Sequence, residues 1–129
     1  MGEFITKDSG SRAEYGSGMV RDLNKGKPRF DLISPVFLPY KEQMMTRLAS
    51  LMARGAEKYG DRNWEKADSG DELDRMRESA FRHFMQWYLN ADEDEDHFAA
   101  AIFNMQGAEY IWYHMQHPEA LKFPKNRST

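Results

Sequence analysis

Between the acidic run at 92–96 and the dipeptide His117-Pro118 lies a segment that demands cover on more than one side. Phe98, Ile102, Phe103, Met105, Tyr110, Ile111 and Trp112 point nearly all round a helical wheel, so a single apolar stripe does not account for them. This predicts a central helix over about 94–116. The carboxylates at its start suit the positive end of the helix dipole. The residue before Pro118 is steered out of the helical region, which ends the helix at 117.

Two amphipathic segments supply the cover. Met44, Met45, Leu48, Leu51, Met52 and Ala56 recur at helical spacing and predict a helix within about 35–59. It starts at Ser34-Pro35 or at Pro39, and Gly60 is placed to stop it. Ser69 and Glu72 make a Ser-x-x-Glu capping box that opens a second helix over about 70–90. Its stripe is Leu73, Met76, Ala80, Phe84 and Trp87, widened by Phe81 and Tyr88. No internal repeat and no strand-like alternation is visible. The expected fold is all-α, a bundle of about three to four helices. Residues 1–33, punctuated by glycines, read as an extended, irregular N-terminal arm. Residues 34–117 form the helical domain and 118–129 a C-terminal tail.

The absence of cysteine excludes a disulfide framework and thiolate metal sites. Any metal must be held by oxygen or imidazole, which favours Mg2+ or Mn2+ where carboxylates lead. A net charge of −3 argues against general affinity for nucleic acid. Polar residues interrupt every apolar stretch, so no membrane span is expected. The start of the chain lacks the pattern of a signal peptide, so a cytoplasmic protein is expected. Nine Met, eight Phe, six Tyr and three Trp are more large apolar side chains than a thin helical domain hides, which points to a homo-oligomer.

Four constellations carry chemistry. Glu78 and Arg82 lie one turn apart on the second helix, beside His83; they are either a solvated ion pair or a cation-binding carboxylate next to a phosphate-binding arginine. His97 and Asn104, seven residues apart, share a face of the third helix, with the small Ala100 and Ala101 between them. A helical hairpin turning about residue 92 brings Glu78, Arg82 and Asn104 to one level, with the acids of 92–96 nearer the turn. The loop 58–64 offers Lys58 or Arg62 to phosphate, Tyr59 or Trp64 to stack on a base, and Asn63 to read a base or sugar edge; alternatively Trp64 is a buried plug. In the arm, Lys27 and Arg29 fall two apart and could clamp a phosphate.

Several strings are distinctive together: Lys7-Asp8-Ser9-Gly10, Gly26-Lys27-Pro28-Arg29-Phe30-Asp31-Leu32-Ile33, Lys58-Tyr59-Gly60-Asp61-Arg62-Asn63-Trp64-Glu65-Lys66, and Arg82-His83 followed by His97 and Asn104. They resemble the dATP/dGTP diphosphohydrolases (MazZ) found mainly in phages, which are similar to the MazG-like all-α pyrophosphohydrolases. The resemblance spans about 7–112. It implies a helical oligomer that uses Mg2+ or Mn2+ to split a purine deoxynucleoside triphosphate, dGTP or dATP, into monophosphate and pyrophosphate, in the host cytoplasm for a phage protein. Glu78 stands where the family usually has Asp, and Ala100 where it usually has His. Under this reading Glu78, Asp94, Glu95 and Asp96 hold metal. Glu78, Arg82, His83 and His97 do the chemistry, and Lys27, Arg29, Lys58, Tyr59, Asn63, Trp64 and Asn104 bind substrate. A non-catalytic nucleotide sensor and a helical adaptor are the alternatives.

Overall fold

The computed structural model describes residues 12–23, 25–91 and 94–121. The chain divides into two compact units, Met1–Val36 and Phe37–Thr129.

In the first unit the arm contains a two-stranded antiparallel hairpin. Strand β1 (Arg12–Glu14) pairs with β2 (Val20–Asp22) in the register Arg12 to Asp22, Ala13 to Arg21 and Glu14 to Val20. The sequence reading expected irregular chain and no strands here. Three-residue strands are too short to display a period of two, and the turn carries the signal instead. Gly18 takes φ 92°, a region glycine enters without a Cβ penalty. Its N–H donates to the Tyr15 carbonyl and the Tyr15 N–H to the Met19 carbonyl, each at 2.9 Å. An Arg12–Asp22 ion pair at 2.7 Å closes the open end. A 3-10 turn follows at Phe30–Leu32.

The second unit is helical. After a 3-10 turn at Tyr40–Glu42, α1 spans Met44–Tyr59, α2 Gly70–Tyr88 and α3 His97–Gln116, with a second 3-10 turn, Asn63–Lys66, between α1 and α2. The start of α1 falls later than either proline predicted, because Gln43 is extended at its N-cap. Gly60 does end it, with φ 87° and its N–H on the Ala56 carbonyl at 2.8 Å. The capping box of α2 forms as expected: the Glu72 N–H donates to Ser69 Oγ, and the Glu72 carboxylate accepts the Ser69 N–H.

α2 and α3 form an antiparallel hairpin whose register is set by small residues. Ala99, Ala100, Ala101, Gly107 and Ala108 are buried along α3, which lets the helices approach closely. Met76 lies against Gly107. The core proper gathers Ala67, Leu73, Ala108 and the fully buried Ile111, with Met76 and Tyr110 packed against them. Here the expected α2 stripe is corrected. Its buried residues are Leu73, Ser79, Ala80 and His83, whereas Phe81, Phe84, Trp87 and Tyr88 remain exposed. The small residues of α3 admit the narrow side of α2, and the rings flank the seam. On α3, too, Met105, Trp112 and Tyr113 remain exposed despite the all-round apolar pattern. Among the described residues no helix is long and apolar enough to cross a membrane.

Candidate functional site

His83 lies one turn beyond Ser79 and Ala80 on the inward side of α2, and His97 is the first residue of α3. The hairpin therefore brings two buried rings together, with their Nδ1 atoms 2.9 Å apart. A hydrogen bond between two ring nitrogens needs one hydrogen and one lone pair, so the tautomers of the two rings are linked. Glu95, in the turn just before α3, reaches both rings: Oε1 lies 3.9 Å from His83 Nε2, and Oε2 3.9 Å from His97 Nδ1. One nitrogen of each ring and one Glu95 oxygen lie within 4.8 Å of one another, a cluster that could hold a metal ion.

Asp96 fixes this corner. Its side chain caps α3 by accepting the Ala99 N–H at 3.0 Å. Arg47, from α1, donates to both of its oxygens, at 2.8 and 2.6 Å. Those bonds hold the Asp96 carboxyl below its ordinary range despite partial burial, and raise the Arg47 guanidinium.

A cleft of about 1000 Å3 runs from this cluster. His83, Asp94, Glu95 and Asp96 line it, as do the cations Arg54, Lys58, Arg62, Lys66 and Arg75. Tyr59, Trp64 and Phe103 add aromatic surface, Asn63 and Asn104 add amides, and Gly55, Ala56 and Ala100 leave room. Asn104 donates to the Ala100 carbonyl at 2.8 Å. Trp64 stands edge-on to Phe103 and Tyr110 at centroid distances of 5.7 and 5.2 Å.

The predicted residues separate on these grounds. His83, Asp94, Glu95, Asp96, Lys58, Tyr59, Asn63, Trp64 and Asn104 meet on one cleft. Glu78 and Arg82 are exposed on α2 and do not line it; Glu78 pairs with Arg75 at 3.0 Å rather than with Arg82. Lys27 and Arg29 belong to the first unit, where Arg29 makes a two-pronged pair with Asp31 at 2.8 and 2.7 Å. Asp92, Glu93 and Lys7–Gly10 lie outside the described residues. The sequence reading missed Arg47, Arg54, Lys66 and Arg75. Arg47 and Arg54 are seven residues apart and so share a face of α1, the one available signal for them.

The cleft of the helical unit joins a cation-lined wall to an imidazole–carboxylate corner that could hold a metal ion. Residues 17–121 match the family described as dATP/dGTP diphosphohydrolase, N-terminal, and the chain belongs to that family. No curated protein and no solved structure matches it.

Proposed function

We propose that this chain is a divalent-metal-dependent hydrolase that splits dGTP or dATP into the monophosphate and pyrophosphate. Family membership supports the substrate class. The observation that carries the reading is the single cleft on which five cationic side chains face the His83, Asp94 and Glu95 corner. Phosphoryl transfer is governed by positioning and by neutralising phosphate charge. Lys58 and Arg62 are suited to that neutralisation, with Arg54, Lys66 and Arg75 beside them. Trp64 or Tyr59 offers a surface for the purine, and Asn63 and Asn104 offer polar groups to read its edge. Lys27, Arg29 and Arg82 remain candidates for outer phosphate contacts.

The donor set divides by chemistry. Asp94 and Glu95 fit Mg2+ or Mn2+, with Glu78 a further candidate carboxylate; the two imidazoles do not fit Mg2+, a hard cation that takes oxygen. Both oxygens of Asp96 are engaged by Arg47, which assigns it to holding α3 in place. A divalent ion, when bound, supplies charge neutralisation and water activation. His83 and His97, each 3.9 Å from a Glu95 oxygen, would orient that carboxylate or take a proton from the attacking water.

The exposed rings Phe81, Phe84, Tyr88 and Trp112 are the surface on which we expect a homo-oligomer to form. The substrate pool is cytoplasmic, where such an enzyme would work. The test is incubation with each deoxynucleoside triphosphate and Mg2+ or Mn2+, following monophosphate and pyrophosphate. Cleavage of a purine substrate, lost in Glu95→Gln and retained in Arg77→Gln, is expected. Tight binding without cleavage would make the protein a sensor, and neither would make it an adaptor. Glu78→Gln is the second arm: full activity there removes Glu78 from the site.

A further inference from the structure

We propose that His83, His97 and Glu95 form a binding site for a nitrogen-preferring divalent transition-metal ion, with Zn2+ and Co2+ favoured over Mn2+ and Mg2+ excluded. Two imidazoles and one carboxylate are the donor set that such ions select.

The three donors are gathered within 4.8 Å of one another. At metal–nitrogen bonds of about 2.0–2.1 Å, ligand atoms in a tetrahedral site stand about 3.3 Å from one another. The two Nδ1 atoms are 2.9 Å apart and Glu95 Oε2 lies 3.9 Å from His97 Nδ1, while Oε1 lies 3.9 Å from the other nitrogen of His83, Nε2. The two Nδ1 atoms must part, and Glu95 close on His97 Nδ1, by about half an ångström to meet that spacing, and the carboxylate must also swing from the Nε2 side of His83 toward its Nδ1. Both rings are buried on helices, so their positions are held by packing, while Glu95 lies in a turn and its side chain is half exposed, free to make the closing movement. The His83–His97 contact sets the two Nδ1 atoms 2.9 Å apart, and as the rings part a metal ion would replace the hydrogen between them. Ala100, one turn along α3, lines the cleft beside this corner with a methyl group only. His83 and Glu95 line the cleft, so three protein donors with the remaining position toward the cleft would make a working rather than a purely structural site. With the rings as ligands, proton transfer passes to other groups.

Binding of the ion does not depend on nucleotide cleavage, so the site and the hydrolase reading fail separately. Full-length protein stripped with a chelator is titrated with Zn2+ by calorimetry and with Co2+ by visible absorption, without nucleotide. The expected result is one ion per chain, intense Co2+ bands of a low-coordinate site, and no competition from millimolar Mg2+. In His83→Ala and His97→Ala the Zn2+ affinity should fall by about tenfold or more, the loss that even groups behind the ligands can produce. Undiminished affinity in both variants overturns the proposal. Should either variant fail to fold, X-ray absorption on the Zn2+-loaded wild type decides: scattering from two imidazoles is expected, and one or none overturns the assignment.

Discussion

Arg47 on α1 grips both oxygens of Asp96, the residue that caps α3. The same guanidinium lies 4.7 Å from the Phe98 ring. One arginine therefore ties the first helix to the start of the third, where His97 begins. Planar two-pronged pairs of this kind are stronger than single contacts, and both side chains are mostly shielded, at 32% and 22% exposure. Arg47→Met should cost about 1–2 kcal/mol. Asp96→Asn should cost less than Asp96→Ala, because Asn still caps the helix. Urea denaturation of the three variants measures both differences; an Asn variant as weak as the Ala variant would show that the cap contributes nothing.

The capping box gives α2 a pH dependence. Glu72 accepts the backbone N–H groups of Asp68 and Ser69 and the Ser69 hydroxyl, at 3.0, 3.1 and 2.7 Å. The Asp68 N–H is the leading cause that holds the Glu72 carboxyl below its ordinary value. A depressed carboxyl stabilises the fold above the pH at which the unfolded side chain titrates, about 4.3, and that contribution fades as pH falls through the lower folded value. Wild type should therefore exceed Glu72→Gln in stability at neutral pH by a margin that shrinks on acidification below about pH 4. Thermal melts of the pair across pH 3 to 7 follow the margin, and a gap that widens toward acid would reverse the sign argued here.

Helix existence was legible where the sequence carried a local signal. Gly60, Ser69, Glu72 and Pro118 each act on their own neighbours, and each element boundary they mark is found within a few residues. The hairpin of α2 and α3 was legible too, since only a short turn separates two long periodic segments. What escaped was information held between helices. The rings of Phe84 and Trp87 satisfy the same period as Leu73 and Ala80, and only the run of Ala and Gly on the facing helix decides which side goes inward. The meeting of His83 with His97 is likewise a matter of register across the hairpin. The Arg47–Asp96 pair spans 49 residues, and no spacing rule reaches that far. The β-hairpin of the arm was hidden by its own brevity.

Gly107 sets how closely α2 can approach. A Cβ built there would stand 2.9 Å from both Sδ and Cε of Met76. Those atoms are the flexible end of a side chain, so alanine can be accommodated by a rotamer change. Alanine also favours a helix over glycine by about 1 kcal/mol. Gly107→Ala should thus change stability by less than about 1 kcal/mol in either direction, whereas Gly107→Leu should destabilise by about 2–3 kcal/mol through overpacking. Combining Gly107→Leu with Met76→Ala should recover part of the loss, since the clash is with that one side chain. No recovery in the double variant would mean that the backbone, not Met76, limits the approach.

Trp64 and Tyr110 pin the loop that carries several of the proposed substrate-binding residues. The Trp64 ring meets Phe103 and Tyr110 edge-on, and the Tyr110 hydroxyl donates to the Glu65 carbonyl at 2.5 Å. The 3-10 turn Asn63–Lys66 is held to α3 by these contacts, which leaves Lys58, Arg62 and Asn63 on a braced segment. Trp64→Ala removes two aromatic pairs and much buried surface, a loss of about 3 kcal/mol. Tyr110→Phe keeps the ring and deletes one hydrogen bond, a loss of about 1 kcal/mol. The second change is the sharper probe, because the core stays packed while the turn loses its tether. Amide exchange across 63–67 should quicken in Tyr110→Phe with α2 and α3 unaffected. If the proposed hydrolase activity holds, KM for the nucleotide should rise more than kcat falls, since a loosened loop weakens binding before it disturbs the corner formed by His83, Glu95 and His97.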